Sequence, residues 1–177
     1  MNIKQWQVWG ALFTLIFGTL LHFTYALSGQ NPVVGIFSPV NESVWEHLKL
    51  LFTPMLLFAE AEYYFYGKDL PNFVPVRVFS MLLGMCTVVV SFYTYVGIIG
   101  QHYPLADIGF FILSVLLAYW FSYLFLESDC FSSRLANLFG WIGLVLLIAA
   151  FILFSFNPPH IPLFEDSGTG TYGIPIE

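Results

Sequence analysis

Apolar residues in this chain gather into long runs separated by short polar connectors. An apolar run of roughly 18 or more residues reads as a helix that can cross a bilayer. Five such runs stand out, at about 6–27, 43–66, 76–99, 105–126 and 135–156. The connectors are rich in turn residues, as in SGQNP at 28–32 and GKDLP at 67–71. The pattern predicts an all-α polytopic membrane helix bundle of about five transmembrane helices. It forms a single transmembrane domain over 1–177, of which 157–177 is a non-helical tail. The first run exceeds the usual signal-peptide core of about 7–15 residues. It also carries Trp6, Trp9 and His22, so it reads as a retained span rather than a cleaved leader.

Composition agrees with the pattern. Of 177 residues, 58% are hydrophobic and only 9% charged. A soluble domain carries about 25% charged residues to wet its surface, so this chain calls for a lipid-facing shell, and the membrane bilayer is its first partner. The net charge is −6, and the five basic residues, Lys4, Lys49, Lys68, Arg77 and Arg134, are scattered. No basic patch exists to neutralise phosphates, which excludes nucleic acid as a partner. Two cysteines, Cys86 and Cys130, are too few for a disulfide framework and read as packing residues.

Loop charges set an orientation. With the N-terminus cytoplasmic, Lys4, Lys68, Arg77 and Arg134 all fall inside, as the positive-inside rule requires. The tail is then on the outer side of the membrane. In that topology His22, His47, His102 and His160 gather outside, with Glu42, Glu46, Asp107, Glu165 and Asp166.

The start of the second span, SPVNESVWEHLK at 38–49, is the densest polar segment. Ser38 followed by Pro39 can cap a helix; alternatively Ser43 with Glu46 forms a capping box. At 3.6 residues per turn, Glu42, Glu46, Lys49, Thr53 and Glu60 fall in one narrow stripe, while His47 shares another face with Ser43. Ionisable groups at membrane depth face a bundle interior or a wet cavity, so the second span is expected at the centre of the bundle. Lys49 lies one turn from Glu46 and can pair with it. The tail contains prolines, which forbid helix, yet it is too apolar for plain disorder. It is expected to fold over the outer mouth and bring His160, Glu165 and Asp166 towards Glu42, Glu46 and His47.

Carboxylates with imidazoles can bind a divalent metal such as zinc and activate water. They can also do acid–base work without metal. On this reading Glu42, Glu46 and His47 are the candidate catalytic residues. Glu46, His47, His160 and Asp166 are the candidate metal ligands. Asn41, Ser43, Trp45, Lys49, Thr53 and Glu60 are the candidates for lining a substrate site or path. None of the strong hydrolase, zinc-protease, nucleotide or redox motifs occurs.

The segment IFSPVNESVWEHLKL at 36–50, with PLF at 162–164 and YGI at 172–174, resembles the signature of an uncharacterised family of small bacterial multispanning membrane proteins. The resemblance covers most of the chain. It implies a multi-pass protein of the bacterial inner (cell) membrane and implies no activity. Three functions stay open: an outward-facing site, metal-dependent and hydrolytic, acting on a lipid or lipid-linked substrate; a transporter or binding subunit using the polar stripe; and a structural or assembly protein.

Overall fold

A computed structural model describes residues 2–174. Its long helices are α1 (Ile3–Leu27), α5 (Phe73–Ile99), α6 (Pro104–Leu126) and α7 (Arg134–Phe156). Between α1 and α5 lie two short helices, α2 (Pro32–Gly35) and α3 (Val44–His47), and the 17-residue α4 (Lys49–Phe65). A single 3₁₀ turn, Pro162–Phe164, interrupts the tail. Among the described residues the fold is an all-α bundle.

The chain runs up and down, so each connector lies at one of two ends. Lys4, Lys68 and Arg134 share one end and are exposed. The other end, called the mouth below, holds the 28–43 connector, the start of α6 and the tail. The four histidines lie there.

Helices α1, α5, α6 and α7 are long and apolar enough to cross a membrane. Their outward faces carry large apolar side chains, such as Ile16, Leu20, Phe23, Leu116 and Leu146. A patch of that extent is untenable in water and natural in lipid. The traverse expected as one continuous span over 43–66 is instead made by α3 and α4, joined at Leu48. Leu48 remains near helical geometry, at φ −61° and ψ −24°. The traverse is short and polar because it is shielded by protein: Glu46, Lys49 and Glu62 are all 2% exposed or less.

Helix α1 packs on α4 and α6 along a stripe of Gln7, Gly10, Ala11, Thr14 and Gly18. Small residues let two backbones approach where no hydrophobic effect drives helices together. Gly18 shows why. Pro54 lacks an N–H, so the Leu50 carbonyl has no intrahelical donor one turn on. A Cβ at position 18 would stand 2.3 Å from that carbonyl oxygen. Similarly, a Cβ on Gly140 of α7 would stand 2.8 Å from Pro75 N of α5.

A buried polar network closes the end opposite the mouth. Arg77 of α5 pairs with Glu62 of α4 at 3.0 Å. Glu62 Oε1 accepts from Gln7 Nε2 and Tyr66 Oη, both at 2.7 Å. Arg77 Nη1 donates to Gln7 Oε1 at 3.0 Å and to Ser122 Oγ at 2.9 Å. Its guanidinium also sits 4.9 Å from the Tyr119 ring centre, and Tyr119 shares a hydrogen bond with Thr14. Four helices are thus tied together. Arg77, counted above among the loop charges, is spent inside the bundle.

Candidate functional site

The mouth is built around the 38–49 segment. Asn41 Oδ1 accepts from Ser43 N at 3.0 Å, an Asx turn that brings the chain to the helix. Ser43 then caps α3: its backbone is extended, and its Oγ accepts from Glu46 N at 3.2 Å. Only that half of the expected capping box forms. The Glu46 carboxylate turns inward, where Oε2 accepts from Val40 N at 3.0 Å and meets Lys49 Nζ at 2.5 Å. Ser38 caps nothing. It is buried in the connector that covers Lys49.

Lys49 is the hub of this region. Besides Glu46, its Nζ reaches Gly35 O at 2.6 Å, Ser155 Oγ at 2.7 Å and Ser38 O at 3.4 Å. One ammonium therefore fastens the connector and α7 to α4. Thr53, one turn deeper, donates to Phe37 O at 2.8 Å. Trp45 stacks among Phe151, Phe154 and Phe164. Glu46, Lys49, Thr53 and Trp45 are thereby committed to packing and internal bonds. Glu60 is exposed near the opposite end.

The tail is held against this region. Phe164 is buried against Trp45 and Phe154. Ile174 N donates to Ser155 O at 2.8 Å. Asp166 accepts from Gly168 N at 2.7 Å and Thr169 N at 2.9 Å through Oδ1, and from Glu42 N at 3.1 Å through Oδ2. Burial by itself pushes the Asp166 carboxyl up. The N–H groups of Glu42, Thr169 and Gly168 outweigh it and hold the pKa below the ordinary aspartate value. Asp166 is thus a turn-forming acceptor. His160 stacks on Tyr172, ring centres 4.6 Å apart.

Of the residues proposed as ligands, His47 is the one left facing a second donor set. The extended backbone at Ser43 breaks the helical phase, so the Glu42 side chain leaves the Glu46 stripe and swings towards His47. Glu42 Oε2 lies 3.4 Å from His47 Nε2. His47 Nδ1 lies 2.9 Å from Ser43 O, positioned to donate to it. That bond fixes the tautomer with Nε2 free. His22, near the end of α1, completes the group, its ring centre 5.2 Å from that of His47. Ligand atoms of His22, Glu42 and His47 all lie within 4.8 Å of one another. His22 was placed on this side by its sequence position, but nothing assigned it to the site. The available signal was its spacing, four residues after Gly18 and three before Tyr25, on the packed face of α1.

Two hollows lie at this end of the bundle, and one of them touches the group. An apolar groove of about 360 Å³ runs along Leu21, Thr24, Val33, Val34 and Phe37. A cavity of about 210 Å³ opens on the other side, with Glu42 in its wall.

No curated protein and no solved structure matches this chain. The profile of a family of unknown function, DUF6512, matches residues 1–174. A bundle with four helices able to cross a membrane, carrying the SPVNESVWEHLK segment at its polar mouth, is therefore a member of that uncharacterised family.

Proposed function

We propose that the protein is a membrane-embedded, divalent-metal-dependent hydrolase working at the mouth on a lipid or lipid-linked substrate. The reading rests on the His22–Glu42–His47 group. Two imidazoles and one carboxylate suit zinc and leave a coordination position open. A carbonyl acceptor on the distal nitrogen, as Ser43 O provides for His47, is the usual support for a ligating imidazole. Ligand atoms need to close to about 2.0–2.2 Å from a central ion, which side-chain rotations at this half-exposed site permit. His160, Asp166 and Glu46 are not ligands on this reading: their positions serve the tail and the Lys49 hub.

In the reaction, water adds across an ester bond. Its oxygen joins the electrophilic carbon or phosphorus, and its two protons end on the leaving alcohol and the medium. A metal held by His22, Glu42 and His47 would supply a water of lowered pKa. The apolar groove between α1 and the 33–38 stretch, at the same end of the bundle, supports a lipid-borne substrate, since an acyl chain would rest there. The alternative of a transport path along the Glu42–Glu60 stripe is disfavoured by the closed packing at Lys49 and Thr53.

The test is metal analysis of the purified protein. One equivalent of zinc is expected, lost in His47→Ala and Glu42→Gln with thermal unfolding unchanged. Chelator-sensitive release of alcohol or fatty acid from membrane lipids should follow the metal. Absence of metal above the detergent blank, or equal metal in both variants, overturns the proposal.

A further inference from the structure

The cavity on the far side of Glu42 has a composition of its own. Its 210 Å³ are bounded by Glu42 and Glu165, by Phe92 and Tyr93, by Ser167, and by the apolar Val44 and Pro162. At about 30 Å³ per water, it admits a group of several heavy atoms. Glu165 is held from outside by Tyr172 Oη, which donates to Oε2 at 3.1 Å. Three parts of the fold meet here: the start of α3, the last turns of α5 and the tail.

We propose that this cavity binds an organic ammonium group, the amine end of the substrate's headgroup. Two carboxylates give the pocket negative charge. The Phe92 and Tyr93 rings are electron-rich groups of the kind that attract cations. Besides the carboxylate oxygens, Val44, Pro162 and Phe92 offer apolar contact that a small hydrated inorganic cation cannot use. An alkylammonium loses less hydration and gains contact with the same walls. A metal at His22, Glu42 and His47 would share Glu42 as a wall with this cavity. An amine and a phosphoester, two carbons apart as in an ethanolamine headgroup, would then occupy adjoining compartments. This substrate class rests on the hydrolase reading; the ammonium site itself does not.

The experiment titrates protein in neutral detergent with tetramethylammonium, with ethanolamine and with the uncharged alcohol 3,3-dimethylbutanol. Saturable binding of the two amines is expected, with none of the alcohol. Glu165→Gln, a change at an exposed residue, should weaken amine binding about tenfold, and Phe92→Leu should also weaken it. His47→Ala should abolish metal binding and leave amine binding in place, so the two proposals fail separately. Vesicles distinguish the source of the amine: preferential retention of phosphatidylethanolamine over phosphatidylglycerol marks a lipid headgroup, and equal retention marks a soluble amine. Equal binding of amine and alcohol, or wild-type affinity in Glu165→Gln with its fold intact, overturns the site.

Discussion

Two buried ion pairs, Lys49–Glu46 and Arg77–Glu62, carry the polar logic of this bundle. Removing one partner of a buried pair leaves an uncompensated charge and costs about 3–5 kcal/mol. Lys49→Met strands Glu46 and also frees the Gly35 carbonyl and Ser155, so it should lower the thermal unfolding midpoint in detergent steeply. Glu60→Ala, at an exposed position, should barely move it. Asp166 gives a pH-dependent counterpart. Its pKa is lower in the folded chain than in the unfolded one, so its bonds stabilise the tail above the unfolded value, about 3.9. That stabilisation fades as pH falls through the depressed folded value. Tail proteolysis measured from pH 6 to pH 3 should therefore rise at the acidic end. Asp166→Asn should show the acid level of cleavage already at pH 6.

At the scale of elements, tight helix approach decides which substitutions the bundle tolerates. Gly18→Ala places a methyl group against the Leu50 carbonyl, a rigid backbone atom, and should destabilise α1–α4 packing. Gly97→Ala, where a Cβ meets nothing within 4 Å, should be neutral or stabilising by up to about 1 kcal/mol. Comparing their unfolding midpoints checks the claim directly. The same scale explains what the sequence could and could not reveal. The positions of the four long helices were legible because apolar runs set them, and the Lys49–Glu46 pairing followed from one-turn spacing. The stripe down to Glu60 was not legible. Near the mouth, the Lys49–Thr53 face is covered by the 31–43 connector, through bonds to Gly35, Ser38 and Phe37. Lower down that cover ends, and the face that enters the bundle passes through Leu51, Met55, Ala59 and Glu62. Which face is covered depends on a loop's path, and periodicity holds no information about that. The His22–Glu42 meeting was hidden for the same reason: a capping turn at Ser43 took Glu42 out of helical phase.

For the whole molecule, the charge asymmetry makes a statement about sidedness. Lys4, Lys68 and Arg134 are exposed at one end, and Arg77 adds nothing because Glu62 neutralises it inside. Three free basic groups against none in the described mouth predict, by the positive-inside rule, that this end is cytoplasmic; the His22–Glu42–His47 group would then face outside. The cysteines provide the test. Cys130 lies exposed in the connector between α6 and α7, at the basic end, and Cys86 lies exposed on the long apolar helix α5. A membrane-impermeant maleimide needs a thiolate in water, so Cys86 within lipid should stay unlabelled in every preparation. With Cys130 inside, intact cells should leave it unlabelled, and inverted vesicles should label it. Ser167→Cys in a Cys130→Ser background should behave in the opposite way. Labelling of Cys130 from outside would turn the bundle over. The metal group and the ammonium cavity would then face the cytoplasm, where their substrates would have to be sought.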